Sequence, residues 1–434
     1  MKKAFIHASL FDCTDNAELQ KNMTVVVDGE TITEIGKTGE VKTDDCQIFD
    51  LSGKYLLPGL INIHAHLFGT GKPSPILGGG PLQKIVLDFT KTKLGHKVVD
   101  MLTKSSVQQS LNSGVTTMRT SGDFVYSDVR TRDRINAGEI AGPRLMVPGP
   151  AITCVGGHGD GTFSQSSDDP KELKKLVSDR MENHVDCIKI CVTGGVMDAK
   201  KKGEPGIVKM TPEQVKAVCD KAHELGYHVA SHTESTKGIK VALENGVDTI
   251  EHGSSMDDEI IKLFKDTGST LTVTISPALP LAKLSPDITK LNELCVYNSN
   301  YLFREMVSGA KTALENNIPI GLGTDESCPL VTPYNMWREV YYFAHFCGVS
   351  NAQALKTATL GNARIIKLDK KTGSIEVGKS ADMIVVENNP LEDLNALREM
   401  NKVVYRGNVI NEPKVKKNAQ IEAWLDSLAD ATLD

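Results

Sequence analysis

The chain has 434 residues, 40% of them hydrophobic, with 37 glycines, which suits a soluble enzyme with one large domain and a smaller one. Its 49 basic and 55 acidic residues leave a formal charge of −6, which offers no footprint for nucleic acid or an anionic membrane surface. No apolar run reaches the roughly 18 residues of a membrane span.

In chain order, Met1-Lys2-Lys3-Ala4-Phe5-Ile6-His7 is broken by its histidine and stops at Asp12, which argues against a signal peptide. Short strands are predicted over Ala4–Ser9, Met23–Asp28, Thr31–Ile35 and Gln47–Asp50, punctuated by Asp28-Gly29 and Ser52-Gly53. From about residue 59 the pattern becomes strand, loop, helix, repeated. The strand candidates are Leu60–His66, Val115–Arg119, Arg144–Pro148, Asp186–Cys191, His228–His232, Asp248–His252, Thr270–Ile275 and Ile318–Gly323. Helices are predicted over Leu173–Asn183, Pro212–Leu225, Thr236–Asn245 and Met256–Thr267. Thr211 and Gln214 form a capping pair for the second, and Gly268 stops the fourth. Eight such units in about 310 residues predict a closed α/β barrel. Long segments at 66–97, 193–211 and 276–287, the first containing Gly78-Gly79-Gly80-Pro81, are read as loops over the catalytic mouth. Strands return at Thr372–Gly378, Ala381–Glu387, Lys402–Arg406 and Asn408–Ile410, expected to join the N-terminal strands. Residues from about Asn418 read as an amphipathic helix, docked on its own subunit or on a neighbour.

Chemistry concentrates at strand ends. His64 and His66 lie two apart, so one strand points both imidazoles the same way, toward one cation or toward ordinary hydrogen-bond partners. In Asp186-Cys187-Ile188-Lys189-Ile190-Cys191, the isoleucines suit the helix layer and Lys189 faces the barrel interior. A buried ammonium needs a carboxylate partner or a different chemistry, such as a carbamate formed with CO2 that bridges two cations. His232, His252 and Asp325 end three further strands. Imidazole nitrogen and carboxylate oxygen are zinc donors. Nine cysteines without a Cys-x-x-Cys pair suit free thiols in a reducing compartment, so the cytoplasm is the expected location.

These pieces resemble the amidohydrolase superfamily. The matching motifs are Pro58-Gly59-Leu60-Ile61-Asn62-Ile63-His64-Ala65-His66, Ile188-Lys189-Ile190, His232, Glu251-His252-Gly253 and Gly323-Thr324-Asp325. Ala358-Thr359-Leu360-Gly361-Asn362-Ala363 and Gly373-Ser374-Ile375-Glu376-Val377-Gly378-Lys379-Ser380-Ala381-Asp382 extend the likeness over nearly the whole chain. Gly156-Gly157-His158-Gly159-Asp160 and Thr193-Gly194-Gly195-Val196 are similar to the prolidase-like, imidazolonepropionase-related branch, which includes dipeptidases and N-acyl amino acid hydrolases.

The resemblance implies a TIM-like (β/α)8 barrel over 59–371, a composite β-sandwich domain from 1–58 plus 372–412, and a helical tail at 413–434. It implies two Zn2+ per subunit: His64 and His66 on the first, His232 and His252 on the second, carbamylated Lys189 bridging, and Asp325 on the first metal. A hydroxide bridging the two cations would attack a peptide-like amide, in an Xaa-Pro or other dipeptide or an N-acyl amino acid. Asp325 would move its proton, and His158 would contact substrate. The resemblance also implies a small-molecule substrate and a homo-oligomer, without nucleic acid or membrane.

One position departs from the pattern. Two residues past His232, where dipeptidase-like relatives carry His or Tyr, stands Glu234. It can be protonated, face away, bind a cationic substrate group, or cap the following helix. It also keeps open deamination or ring opening of a cyclic amide, with Glu234 as proton shuttle, although Lys189 argues against the deaminases. A non-catalytic scaffold of the same fold is a further alternative, opposed by six filled ligand positions. Arg119 can meet a substrate carboxylate or serve as a structural ion pair, the ordinary role. His223 and His228 read as structural, and His7, His96, His184 and His345 carry no reading.

Overall fold

The computed structural model describes residues 1–73 and 81–433. Gly78, Gly79 and Gly80 lie outside the described residues.

Strands from both ends of the chain share one sheet. Asn408–Asn411, Lys402–Tyr405, Met383–Val386, Tyr55–Pro58, Lys2–Leu10, Gln20–Asp28 and Thr31–Lys37 follow one another, and Cys46–Asp50 branches off beside Lys2–Leu10. Tyr55–Pro58 is the joint: it pairs parallel with Lys2–Leu10 and antiparallel with Met383–Val386. The alternation of strand side chains decides what faces what. Leu56, Met383 and Val385 pack with Phe5, Val25 and Ile32, whereas Leu57, Ile384 and Val386 join the main core under the barrel. Thr372–Gly378, predicted as a strand, forms turns instead, because Gly373 and Gly378 both take positive φ and break the extended run.

All eight predicted barrel strands are present, in order: Leu60–Ala65, Val115–Thr120, Arg144–Met146, Ile188–Cys191, Val229–Thr233, Thr249–His252, Thr270–Val273 and Ile320–Leu322. Consecutive strands pair in parallel except the third and fourth. The ring closes where Thr324 N and Asp325 N donate to His64 O at 3.0 and 2.8 Å and His66 N donates to Glu326 O at 3.1 Å. The third strand is shorter than predicted. Pro148-Gly149-Pro150 removes two ladder donors, and the chain resumes as Ala151–Thr153, which pairs with Ile188–Cys191 through Ile152 and Ile190.

The predicted helices appear as Pro170–Glu182, Pro212–Glu224, Thr236–Glu244 and Asp258–Thr267. Thr211 and Gln214 make the reciprocal cap, and Gly268 ends its helix at φ 69°. The tail helix Ala419–Asp426 docks on its own chain, burying Ile421 and Leu425. There Glu422 and Asp426 each lie 2.8 Å from Arg338. No helix among the described residues is long and apolar enough to cross a membrane.

Two of the three expected loops carry longer helices. Segment 66–97 contains Pro81–Thr90 and the start of Lys93–Asn112, and segment 276–287 lies largely within Ile275–Lys283 and Pro286–Thr289. Prolines 277 and 280 suggest a loop, but Pro277 falls in the first turn, where no N–H is needed. Glu339 then closes that helix start, accepting from Ile275 N at 2.8 Å and Ser276 N at 2.6 Å.

Glu339 is fully buried, and burial pushes its carboxyl up to about 8 despite these donors. Between its ordinary 4.5 and about 8, the folded chain holds a proton that the unfolded chain releases. Its contribution is therefore complete below pH 4.5 and is lost as pH rises through 8. Glu339→Gln is expected to flatten this slope, by on the order of a few kcal/mol across the interval. Urea denaturation of both proteins at acidic, neutral and mildly alkaline pH reads it; parallel slopes would refute it.

Candidate metal centre

Leu60–Ala65 delivers His64 and the following His66 to the mouth of the barrel, both buried. His64 Nδ1 lies 2.5 Å from Glu251 Oε2, and His66 Nδ1 lies 2.5 Å from Gly122 O. A carboxylate and a carbonyl only accept, so each Nδ1 carries the proton and each Nε2 keeps its lone pair. Those Nε2 atoms face Asp325 Oδ1 at 3.4 and 3.3 Å. Donor atoms of His64, His66 and Asp325 all fall within 4.8 Å of one another.

A second trio stands beside the first. Donor atoms of His232, Glu234 and His252 also fall within 4.8 Å of one another. Imidazole centroids are 4.7 Å apart for His64 and His252 and 4.6 Å for His232 and His252. His252 Nδ1 meets Thr274 Oγ1 at 2.7 Å, and His232 Nε2 meets Gly194 O at 3.2 Å, which leaves Nδ1 of His232 with the lone pair. Burial keeps both rings neutral, holding them well below the usual histidine value.

Strand pleating alone would send Glu251 and His252 to opposite sides. His252 takes φ 69° and Gly253 φ 84°, and this left-handed turn lets both neighbours serve the interior. Asp325 is likewise left-handed, at φ 53°. Such backbone costs about 1–3 kcal/mol per residue and clusters where a side chain must be aimed.

Lys189 lies among these groups. It is buried, and its Nζ has no hydrogen-bond partner. Burial lowers its pKa foremost, against the attraction of Glu251 and Asp325. Cys187 is buried with it, while Ile188 and Ile190 pack into the main hydrophobic core. An orphaned amine beside imidazole lone pairs and a carboxylate, with their remaining nitrogens already occupied, is a donor set that fits divalent cations.

Arg119 takes the ion-pair role. Its Nη2 donates to Glu251 Oε1 at 2.6 Å, and its Nε to Ile63 O at 2.8 Å. Burial would raise Glu251, but the Arg119 charge, then His64, brings it down to about 2. Glu251 belongs to Glu251-His252-Gly253, and the sequence alone assigns it no role. The available signal was an acid inside a buried strand, which needs a buried cation such as Arg119. His158 stacks on His232 at 4.0 Å between centroids, and its Nδ1 lies 2.5 Å from Asp198 Oδ2. Asp198, from segment 193–211, was not anticipated. Glu234 is buried and turned toward His232, with Oε1 4.0 Å from Nε2. It does not cap the helix after it: that start is held by Ser235, which accepts from Gly238 N. His223 and His228 are structural, bonded to Asp248 and Thr249.

The amidohydrolase family model matches residues 55–410 of this chain. The chain belongs to the amidohydrolase family. A solved structure of a candidate prolidase from Bifidobacterium longum is 36% identical, covers 99% of both chains and superposes with a TM-score of 0.86. A Xaa-Pro dipeptidase solved with methionine in its active site is 29% identical, over 95% of this chain and all of the other, with a TM-score of 0.82. Ochratoxinase of Aspergillus niger is 23% identical over 98% of this chain and 88% of the fungal protein. This amidohydrolase is thus a hydrolase acting on carbon–nitrogen bonds.

Proposed function

We propose that this amidohydrolase cleaves a peptide-like amide bond, in a dipeptide such as Xaa-Pro or in an N-acyl amino acid, using two divalent cations, with Zn2+ as the expected metal. His64, His66 and Asp325 would hold the first, His232 and His252 the second. Lys189, carbamylated by CO2, would bridge them. The observation that carries the reading is the buried Lys189 amine without a partner. A neutral amine adds to CO2 with loss of one proton, and the resulting carbamate would supply oxygen donors from the Lys189 position.

When bound, the cations would lower the pKa of water and polarise the scissile carbonyl. The chain's own residues do the rest. Asp325, at the mouth and 13% exposed at its side chain, accepts the proton of the attacking water and returns it to the leaving amine. His158, oriented by Asp198 and stacked on His232, faces the same space and meets the substrate. Thr274, Gly122 O and Glu251 fix the ring orientations.

Protein prepared without chelators is expected to hold about two equivalents of zinc. Chelation should remove turnover, and Zn2+ with bicarbonate should restore it. Fewer than one equivalent, with no recovery, would overturn the proposal. A dipeptide and N-acyl amino acid library identifies the amide. The position of Glu234 beside His232 favours a second reading, deamination or ring opening with Glu234 as proton shuttle. Ammonia release from a purine or pyrimidine panel, without amine release from the library, would establish it instead.

A further inference from the structure

Glu234 is a buried acid of the mouth with no lysine or arginine beside it among the described residues. It is 8% exposed, and its Oε2 has no hydrogen-bond partner. The Val196 backbone N–H faces the carboxyl, but the charged side chains that bear on it most are Asp325 and Asp198, both acids. No lysine or arginine among the described residues forms an ion pair with it. Asp198 is already taken, by His158 and by Gly195 N at 2.9 Å. A buried carboxylate without a counter-charge is costly, and a cationic group on a ligand would relieve that cost.

The space in front of Glu234 is kept open by Gly195. A Cβ on Gly195 would lie 3.2 Å from His158 Cε1 and 3.4 Å from Glu234 Oε2. The glycine therefore leaves a cleft with the imidazole on one side and the carboxylate on the other. Both walls abut His232, His158 by stacking and Glu234 at 4.0 Å. The cleft thus adjoins the His232–His252 side of the centre, where one of the two cations that would polarise the scissile carbonyl is proposed to sit. In a dipeptide, the α-ammonium of the N-terminal residue is attached one carbon from that carbonyl. In an N-acyl amino acid, the same place holds hydrocarbon, which would leave the buried oxygen unpaired.

We propose that Glu234 is the specificity-determining residue of this site: its free oxygen receives the α-ammonium of the substrate's N-terminal residue, so the enzyme takes dipeptides with a free amino terminus over N-acyl amino acids. This rests on the hydrolase reading above and narrows it. The departure from His or Tyr at this position exchanges a group suited to an oxyanion for one suited to a cation.

The test uses matched pairs, an L-alanyl dipeptide and its N-isobutyryl counterpart on each of several C-terminal amino acids. The two differ by NH3+ against CH3. With zinc-loaded wild-type protein, kcat/KM should favour the dipeptide by roughly 10- to 100-fold, the worth of a charge-assisted hydrogen bond. Glu234→Gln should bring that ratio close to one, chiefly through the KM of the dipeptide, with its zinc content unchanged. Glu234→Asp, which keeps the charge but draws it back, should retain part of the preference. Equal use of both members by the wild type overturns this inference and leaves the hydrolase reading standing. So does an undiminished ratio in Glu234→Gln, or loss of a zinc equivalent from that variant, which would make Glu234 a metal ligand. Hydrolysis of neither member of any pair overturns both.

Discussion

Lys189→Met is expected to lower kcat/KM by about 10³-fold or more while leaving the melting temperature of the metal-stripped protein unchanged or higher. The two halves of this outcome have one cause. The Lys189 amine is buried and unpartnered, so in the bare fold it costs several kcal/mol rather than supplying them. Methionine matches the unbranched stem and packs where the stem packs. Metal content should fall along with turnover, since the proposed bridging donor is gone. A lysine whose job is structural gives the reverse pattern: a lowered melting temperature with zinc retained. Thermal melts and metal analysis on the same preparation separate the two.

Glu251→Ala is expected to be damaging in a different way. Glu251 is fully buried between Arg119 and His64. Its removal leaves the guanidinium, 1% exposed, without a counter-charge, which costs about 3–5 kcal/mol. It also frees His64 to rotate or to change tautomer, loosening zinc on that side by roughly 10- to 100-fold. The first effect is read by urea denaturation of stripped protein, the second by zinc titration. An unchanged urea midpoint would show that the Arg119–Glu251 pair carries none of the fold.

The barrel was legible because its strands are short, largely apolar runs of three to six residues bounded by turn residues, and because helices such as Pro212–Glu224 announce their caps. Where the sequence reading erred, a local signal had been outvoted. Ile275–Lys283 holds two prolines and still coils, because a distant acid, Glu339, satisfies its first donors. The third strand breaks at Pro148-Gly149-Pro150, and its continuation through Ile152 depends on a neighbour that only the closed ring supplies. In the site, residues ending strands could be found by spacing: the fold brings His64, His66 and Asp325 together, and His232 and His252 beside them. Those that act on them could not. Asp198 lies in a segment with little regular structure, and His252 shares the interior with its neighbour Glu251 only because its own backbone is left-handed. Periodicity assumes regular dihedrals and has no means of registering that turn.

The seam of the barrel has a consequence for how long the molecule lasts. Its first and last strands are joined by a handful of main-chain bonds, from Thr324, Asp325 and His66. His64 and His66 stand on one lip, Asp325 on the other. The ion proposed to be held by all three would act as a clasp across a hoop, which could not spring open without surrendering it. Resistance to proteases should then follow zinc supply, rising with the logarithm of the free concentration once it exceeds the dissociation constant.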